Sequence, residues 1–422
     1  MQTNLTDSIK HSRAGQEADA ILRSCVHCGF CLATCPTYQL LDDELDSPRG
    51  RIYLIKQMLE GELVSEKTRL HLDRCLTCRA CETTCPSGVQ YGRLLDIGRG
   101  MVEQKVGRGA LAALQRTILR KVLTQPAVFA ALLKMGQILR PFLPHALRQF
   151  VPPATAKTLW PQSKQARTML LLDGCVQPAL QPNINAAAAR LLDKLGITLI
   201  RAQQAGCCGG IAYHLNAQQD GLDAMRRNID AWLPYLEQGA EAIVITASGC
   251  AVTVKEYGHL LQDDPHYADK AARISAATRD ISEIVLREQT QLANLMSHHK
   301  LPPTKLAFHS PCTLQHGQQI ANVVENILLA AGFELTDTPD KHLCCGSAGT
   351  YSILQQDLSQ QLLRDKISAL ESGTPAVIAS ANIGCLMQLQ KGTTTPVRHW
   401  VELLDERLSW AAESACGAAS VS

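Results

Sequence analysis

Sixteen of the seventeen cysteines in this 422-residue chain fall into regularly spaced sets. Two sets share the spacing C-x2-C-x2-C-x3-C-P. One is CVHCGFCLATCP, with Cys25, Cys28, Cys31 and Cys35; the other is CLTCRACETTCP, with Cys75, Cys78, Cys81 and Cys85. Thiolates so spaced hold 4Fe–4S cubanes, and a pair of such runs holds two. The first three cysteines of a run wrap one loop around one face of a cluster and supply three of its corners. The fourth starts the next element and points back at the other cluster. The spacing therefore assigns Cys25, Cys28, Cys31 and Cys85 to one cubane, and Cys75, Cys78, Cys81 and Cys35 to the other. Pro36 and Pro86 remove a backbone donor and turn the chain just past each site. Four thiolates also suit structural zinc, but zinc ribbons split their ligands into two separated C-x2-C knuckles, unlike these closed runs.

The other eight cysteines recur as a repeat. MLLLDGC ends at Cys175, GCCGG holds Cys207 and Cys208, and AIVITASGC ends at Cys250. LAFHSPC then ends at Cys312, LCCGS holds Cys344 and Cys345, and AVIASANIGC ends at Cys385. The first step is thirty-two residues in both copies; the second is forty-two and forty. The apolar runs read as buried parallel strands, with a further strand over 197–201. Helical patterns cover 183–195, 217–238, 320–331 and 358–372. This is a duplicated α/β unit. Each copy sets its cysteines at or near the carboxyl ends of strands, where open α/β sheets form their crevices. Four thiols per copy are thus placed to converge on a further cluster, a zinc ion or a vicinal dithiol. Cys416 alone falls outside these sets, in a small tail.

The elements that must hold the eight N-terminal cysteines read as helices. They cover 15–24, 47–61, 67–74 and 92–105, with Ser47 as a cap and Pro48 in the first turn of the second. The expectation is a small helical domain around two clusters. Beyond it, residues 104–172 contain no Asp or Glu but eleven of the 41 Lys and Arg, so the rest carries thirty basic against 39 acidic residues. Leu111, Leu114, Ile118 and Val122 form one helical stripe there, with Arg116 and Arg120 on another face. Prolines at 126, 141, 144, 152, 153 and 161 interrupt the stretch. Such a segment suits an anionic membrane surface or a connector packed by its apolar face. The fold class is α+β multidomain. Residues 1–105 form the helical two-cluster domain, 106–167 the basic connector, 168–300 and 301–410 the two α/β repeats, and 411–422 the tail.

Aromatic residues are only 4 %, so the cores must rest on Leu, Ile, Val and Ala. The polar N-terminal stretch has no apolar core of a signal peptide, and thiols kept as ligands fit a reducing compartment, the cytosol. No apolar run reaches the eighteen or so residues of a spanning helix. No G-x-G-x-x-G follows a strand and no P-loop occurs, so neither flavin nor nicotinamide is expected in this chain. Nothing calls for nucleic acid. His309, His316 and His342 lie near the second repeat's cysteines, as hydrogen-bonding groups or for proton-coupled transfer. Arg49 and Arg51 are placed to donate to a cluster or to cover one.

The N-terminal pattern resembles the helical ferredoxin domain of succinate dehydrogenase and related flavoenzyme partners. The repeated C…CCG…C pattern resembles the CCG domain, the cysteine-rich module of heterodisulfide reductases, which commonly holds an iron–sulfur centre. The fuller pattern there ends in C-x2-C. Here Thr253 and Gln388 stand where the fifth thiols would be, which argues against a five-thiolate cluster. Over nearly all 422 residues the chain resembles the iron–sulfur subunits of bacterial glycolate oxidase, through SPRGRIYLIKQ, DRCLTCRACETTCPSGV, AGCCGG, TASGCAVTVKEYG, AFHSPCTLQH and HLCCGSAGTY. That resemblance implies a relay of electrons from flavin-containing partner subunits that oxidise glycolate to glyoxylate, toward a quinone or other membrane acceptor. It also implies peripheral attachment to the cytoplasmic face of the inner membrane, and no substrate oxidation by this chain alone. The cysteine motifs equally fit subunits for lactate or glycerol-3-phosphate oxidation; a heterodisulfide-reductase-like thiol enzyme is a further alternative.

Overall fold

The computed structural model describes residues 1–144, 148, 151–296 and 302–419, with side chains through 409. The chain divides into two compact units. One comprises Met1–Thr117, Cys312–Gln319 and Asp340–Ala369; the other comprises Ile118–Pro311, Ile320–Pro339 and Leu370–Ser422.

The first unit is helical. It is built on α1 (Arg13–Ser24), α2 (Pro48–Leu59), α3 (Glu66–Asp73) and α4 (Tyr91–Val106). Each of the first three starts at a serine whose hydroxyl accepts a backbone N–H: Ser12 from Gly15, Ser47 from Gly50, Ser65 from Thr68. These side chains satisfy donors that the first turn leaves open. Leu22, Ile55, Leu59, Leu72, Leu94 and Leu95 are buried together as its core. Buried Arg99 donates to the carbonyls of Leu72 (2.9 Å) and Cys75 (2.7 Å), so α4 holds both the end of α3 and the start of the second cysteine run. Two segments of the second repeat belong to this unit: Leu76 and Cys78 pack with Cys312, Cys344, Tyr351, Leu358 and Leu362.

The acid-free segment forms two helices, α5 (Ala110–Leu123) and α6 (Pro126–Leu139). Neither carries a buried residue. Leu111 is 84 % exposed, and Leu114, Ile118, Leu132, Met135, Ile138 and Phe142 are also exposed. Among the described residues no single helix is long and apolar enough to cross a membrane; the pair Ala110–Leu123 and Pro126–Phe142 meets that test only together, bent by 97°.

The second unit holds two four-stranded parallel sheets. One contains β1 (Arg167–Leu171), β2 (Ile197–Arg201), β3 (Ile243–Ile245) and β4 (Thr278–Asp280) in the order β2-β1-β3-β4. The other contains β5 (Thr304–His309), β6 (Phe333–Leu335), β7 (Val377–Ser380) and β8 (Val397–His399) in the order β6-β5-β7-β8. The matching orders and the all-parallel pairing are the duplication in three dimensions. The copies meet within this unit. Ser248 N–H donates to the Ala381 carbonyl (3.1 Å), and the buried His399 Nε2 lies 3.0 Å from the Thr246 carbonyl.

Two expectations need correction, and three strands are added to those read from the sequence. The strands stop before the cysteines: β1 ends at Leu171 and β5 at His309, while Cys250 and Cys385 sit in the opening turns of the helices Ser248–Lys255 and Ile383–Leu389. An apolar run does not reveal where extended backbone gives way to helix when both are buried. The edge strands β4, β6 and β8 are three residues each, too short for a period to show. The segment read as a tail is helical, since Trp400–Ala419 is one helix. The Cys416 side chain and residues 420–422 lie outside the described residues, as do residues 297–301 at the join of the two repeats.

Candidate metal centres

The two N-terminal runs wrap alike. His27 (φ 57°) and Thr77 (φ 53°), two residues past the first cysteine of each run, are left-handed; so are Gly29 (φ 86°) and Arg79 (φ 60°), one residue past the second. Paired left-handed turns point backbone N–H groups inward and make an anion-binding concavity. Thr77 N–H donates to Cys75 Sγ at 3.4 Å, and the His27 N–H does the same for Cys25. Gly29 has a second reason to lack a side chain: a Cβ there would lie 2.9 Å from Arg49 Nη1.

Cys25, Cys28, Cys31 and Cys85 line one pocket, with Arg49, Ile52 and Tyr91 among its walls. Cys35, Cys75 and Cys78 line a second, with Thr37, Arg51 and Tyr91; Cys81 borders both. The fourth cysteine of each run thus stands with the first three of the other. Burial, reinforced by Cys25 and the other nearby thiols, pushes Cys31 up to about 11. Burial likewise raises Cys78 and Cys81 well above the ordinary thiol range. Crowded, desolvated thiols of this kind lose their protons to a cationic metal core and to little else. The donor set fits 4Fe–4S groups, which when bound supply one-electron redox chemistry.

The second pocket has a buried polar support that sequence alone does not show. Arg51, 1 % exposed, donates to the His71 carbonyl (2.7 Å), to Thr37 Oγ1 (3.0 Å) and to the fully buried Asp46 (3.1 Å). Arg74 at 2.7 Å and the His71 Nδ1 at 3.2 Å also lie against the Asp46 carboxylate. Thr37 Oγ1 is 3.3 Å from Cys35 Sγ, and the Tyr91 hydroxyl donates to Cys75 Sγ at 3.6 Å. A guanidinium therefore sits behind the thiols of this pocket. Arg49, by contrast, is partly exposed and paired with Glu44 at 2.7 Å.

The first repeat brings its four thiols together. Cys175 bonds Cys207, Cys207 also bonds Cys208, and Cys208 bonds Cys250. The donated S–H bonds from Cys175 and Cys208 hold Cys207 well below the usual thiol range, and the same bonds push Cys175 and Cys208 up. Asn228 and Tyr257, both buried and unremarked in the sequence, fix this loop: Asn228 Nδ2 donates to the Cys207 carbonyl (2.9 Å) and the Tyr257 hydroxyl to that of Cys208 (2.8 Å). The Thr253 hydroxyl, where a fifth thiol would stand, donates to the Gly249 carbonyl at 3.1 Å.

In the second repeat Cys312 and Cys344 have sulfurs 3.9 Å apart, and Cys345 bonds Cys344. Cys345 also faces the buried Lys366 ammonium, which burial holds below its ordinary value. Cys385, at the start of its helix, accepts from Asn382 Nδ2 at 3.6 Å. Gly209 (φ 89°) and Gly346 (φ 81°) hold the same place after each cysteine pair. A Cβ would meet the Gly221 carbonyl at 2.6 Å in one copy and the Ser359 carbonyl at 2.7 Å in the other. His316 Nδ1 lies 2.8 Å from Thr83 Oγ1 and its Nε2 3.0 Å from the His342 carbonyl, so it braces the second cysteine run, and burial shifts its ring below the ordinary value. His342 is partly buried, and its own ring is shifted down by burial. His309 is buried at the end of β5.

Two thiol-lined loops in a helical unit, followed by a duplicated cysteine-rich α/β domain, define an iron–sulfur protein of the electron-transfer class. The 4Fe-4S dicluster domain family matches residues 21–89, and the cysteine-rich domain family matches 169–255 and 306–390. The chain is 55 % identical over 409 residues to the glycolate oxidase iron-sulfur subunit of Escherichia coli (strain K12), covering 97 % of this chain and 99 % of that protein. It is 28 % identical over 403 residues to a probable glycolate oxidase iron-sulfur subunit of Bacillus subtilis (strain 168), covering 88 % and 89 %. It is also 29 % identical over 242 residues to lactate utilization protein A of Bacillus licheniformis, covering 55 % of this chain and 97 % of that one. The chain belongs to the family of glycolate oxidase iron–sulfur subunits.

Proposed function

We propose that this chain relays electrons from flavin-containing partner subunits, which oxidise glycolate to glyoxylate, through its two cubanes toward a quinone or other membrane acceptor. The single observation that carries the reading is the pairing of Cys25, Cys28, Cys31 and Cys85 in one pocket beside Cys35, Cys75, Cys78 and Cys81 in the next, with Cys81 bordering both. Two one-electron centres sharing a wall form a path, and the two electrons of a 2-hydroxy acid oxidation must leave a flavin singly to enter it. The first repeat's four thiols are suited to a further metal or cluster. The reading includes peripheral attachment to the cytoplasmic face of the inner membrane, supported by exposed Leu111, Leu114 and Ile118 in a segment without carboxylates.

The test is reconstitution. Purified alone, the chain should show iron–sulfur absorbance, no bound flavin and no glycolate-dependent dye reduction. With the flavin subunits added, glycolate should reduce the clusters. Glycolate-dependent dye reduction by the isolated chain, or no cluster reduction in the full complex, would contradict the reading.

A further inference from the structure

Electrons pass between proteins only where a centre comes near a surface, and the two cubane sites differ in this. Cys28 is the one exposed thiol among the described cysteines. Around it Val26 is 66 % and Phe30 64 % exposed, and Tyr53, its ring edge-on to His27 with centroids 6.5 Å apart, is 47 % exposed. In the other set Cys35, Cys75 and Cys81 are buried, and Cys78 is packed among Leu76, Cys312 and Cys344. The loop that carries Cys28 also lacks charged side chains, and the cation set on it is the Met1 ammonium at the Cys25 carbonyl, 2.8 Å away. The run from Cys25 to Cys35 contains no Lys, Arg, Asp or Glu, and the adjacent Arg49 is paired with Glu44.

We infer that this patch, with Val26, Phe30 and Tyr53 ringing Cys28, is the docking surface of the flavin-bearing subunit, so that electrons enter at the first cubane and pass inward to the second. An uncharged apolar patch with Phe and Tyr matches the core of a protein–protein interface. An anionic membrane would be attracted by basic residues, which this run lacks. The inference rests on the relay proposed above and assigns its point of entry.

The experiment uses the anaerobic, cluster-loaded chain, reduced with dithionite, with a soluble paramagnetic nickel chelate as relaxing agent. A Cys35→Ser variant identifies which electron paramagnetic resonance signal belongs to the second cubane. The first cubane's signal alone should be relaxed by the chelate, and adding the flavin subunits should remove that effect. Phe30→Glu with Tyr53→Glu should weaken flavin-subunit binding at least tenfold while both signals persist. If the charged pair fails to load both clusters, Phe30→Ala with Tyr53→Ala is read by the same two criteria. Equal relaxation of both cubanes, unchanged subunit affinity in the variant, or shielding by anionic phospholipid vesicles in place of the flavin subunits would overturn the inference. Shielding is read without substrate. A failure of glycolate to reduce the clusters would therefore sink the relay while leaving the docking result decided.

Discussion

Arg51 shows how a cluster site is tuned by what stands behind it. Its guanidinium is buried against Asp46 and Thr37 and faces Cys75 and Cys35. Arg51→Gln leaves Asp46 with Arg74 and the His71 ring but strips the His71 carbonyl and Thr37 of their charged donor, so the folded chain should lose about 2 kcal/mol. The second cubane should also become harder to reduce, since a nearby cation favours the more negative reduced state. A redox titration should show that potential shift on one cubane only; equal shifts on both would contradict the placement of Arg51. Cys35→Ser should likewise disturb the cubane held by Cys75, Cys78 and Cys81. Loss of only the one held by Cys25, Cys28 and Cys31 would reverse the assignment. The thiols themselves were legible, because ligand type and spacing are written directly in the chain. Arg51 was legible only as a neighbour, since its burial depends on α2 and α3 meeting. The left-handed Arg79 was not legible at all: glycine at position 29 announces that backbone, whereas arginine at 79 conceals it.

At the scale of elements, the proposed membrane attachment rests on α5 and α6. Their stripe was read from periodicity, but periodicity does not say whether a stripe is covered, and here Leu111, Leu114 and Ile118 are exposed. The basic side chains are less free than their count suggests. Arg116 bonds Asp73 at 3.1 Å and Arg120 lies 3.3 Å from Asp220, so the proposed membrane recruitment would rest on others such as the exposed Lys121 and Lys134. Each fully buried Leu or Ile is worth about 1.5 kcal/mol or more. Changing Leu111, Leu114 and Ile118 to Gln should therefore abolish sedimentation with anionic vesicles, and high salt should weaken the parent's binding. Unchanged sedimentation would return these helices to the role of connector. Asp73 adds a pH dependence. Burial raises its pKa, but the bonds from Arg108 and the charges of Arg116 and Arg108 more than offset this, leaving it lowered. A carboxyl lowered on folding stabilises above its unfolded pKa and loses that contribution as pH falls through the folded value. Asp73→Asn should therefore flatten the acid limb of the stability curve; an unaltered limb would remove Asp73 from it.

At the scale of the molecule, the duplication was readable because cysteine spacing and apolar runs recur together, and the two sheets repeat one strand order. What spacing could not reveal is that pieces of the second copy, Cys312–Gln319 and Asp340–Ala369, pack with the N-terminal helices. Adjacency of that kind is set by tertiary packing of residues such as Tyr351, whose hydroxyl donates to the Arg74 carbonyl at 3.1 Å. It brings Cys312 and Cys344 against Cys78, a thiol of the second cubane. The relay stands or falls on metal content. Iron, acid-labile sulfide and zinc should be counted on the chain purified without oxygen. The account predicts about eight irons with matching sulfide for the two cubanes, and more if the repeats are loaded. Zinc at the eight N-terminal cysteines, with iron well below that number, would contradict it.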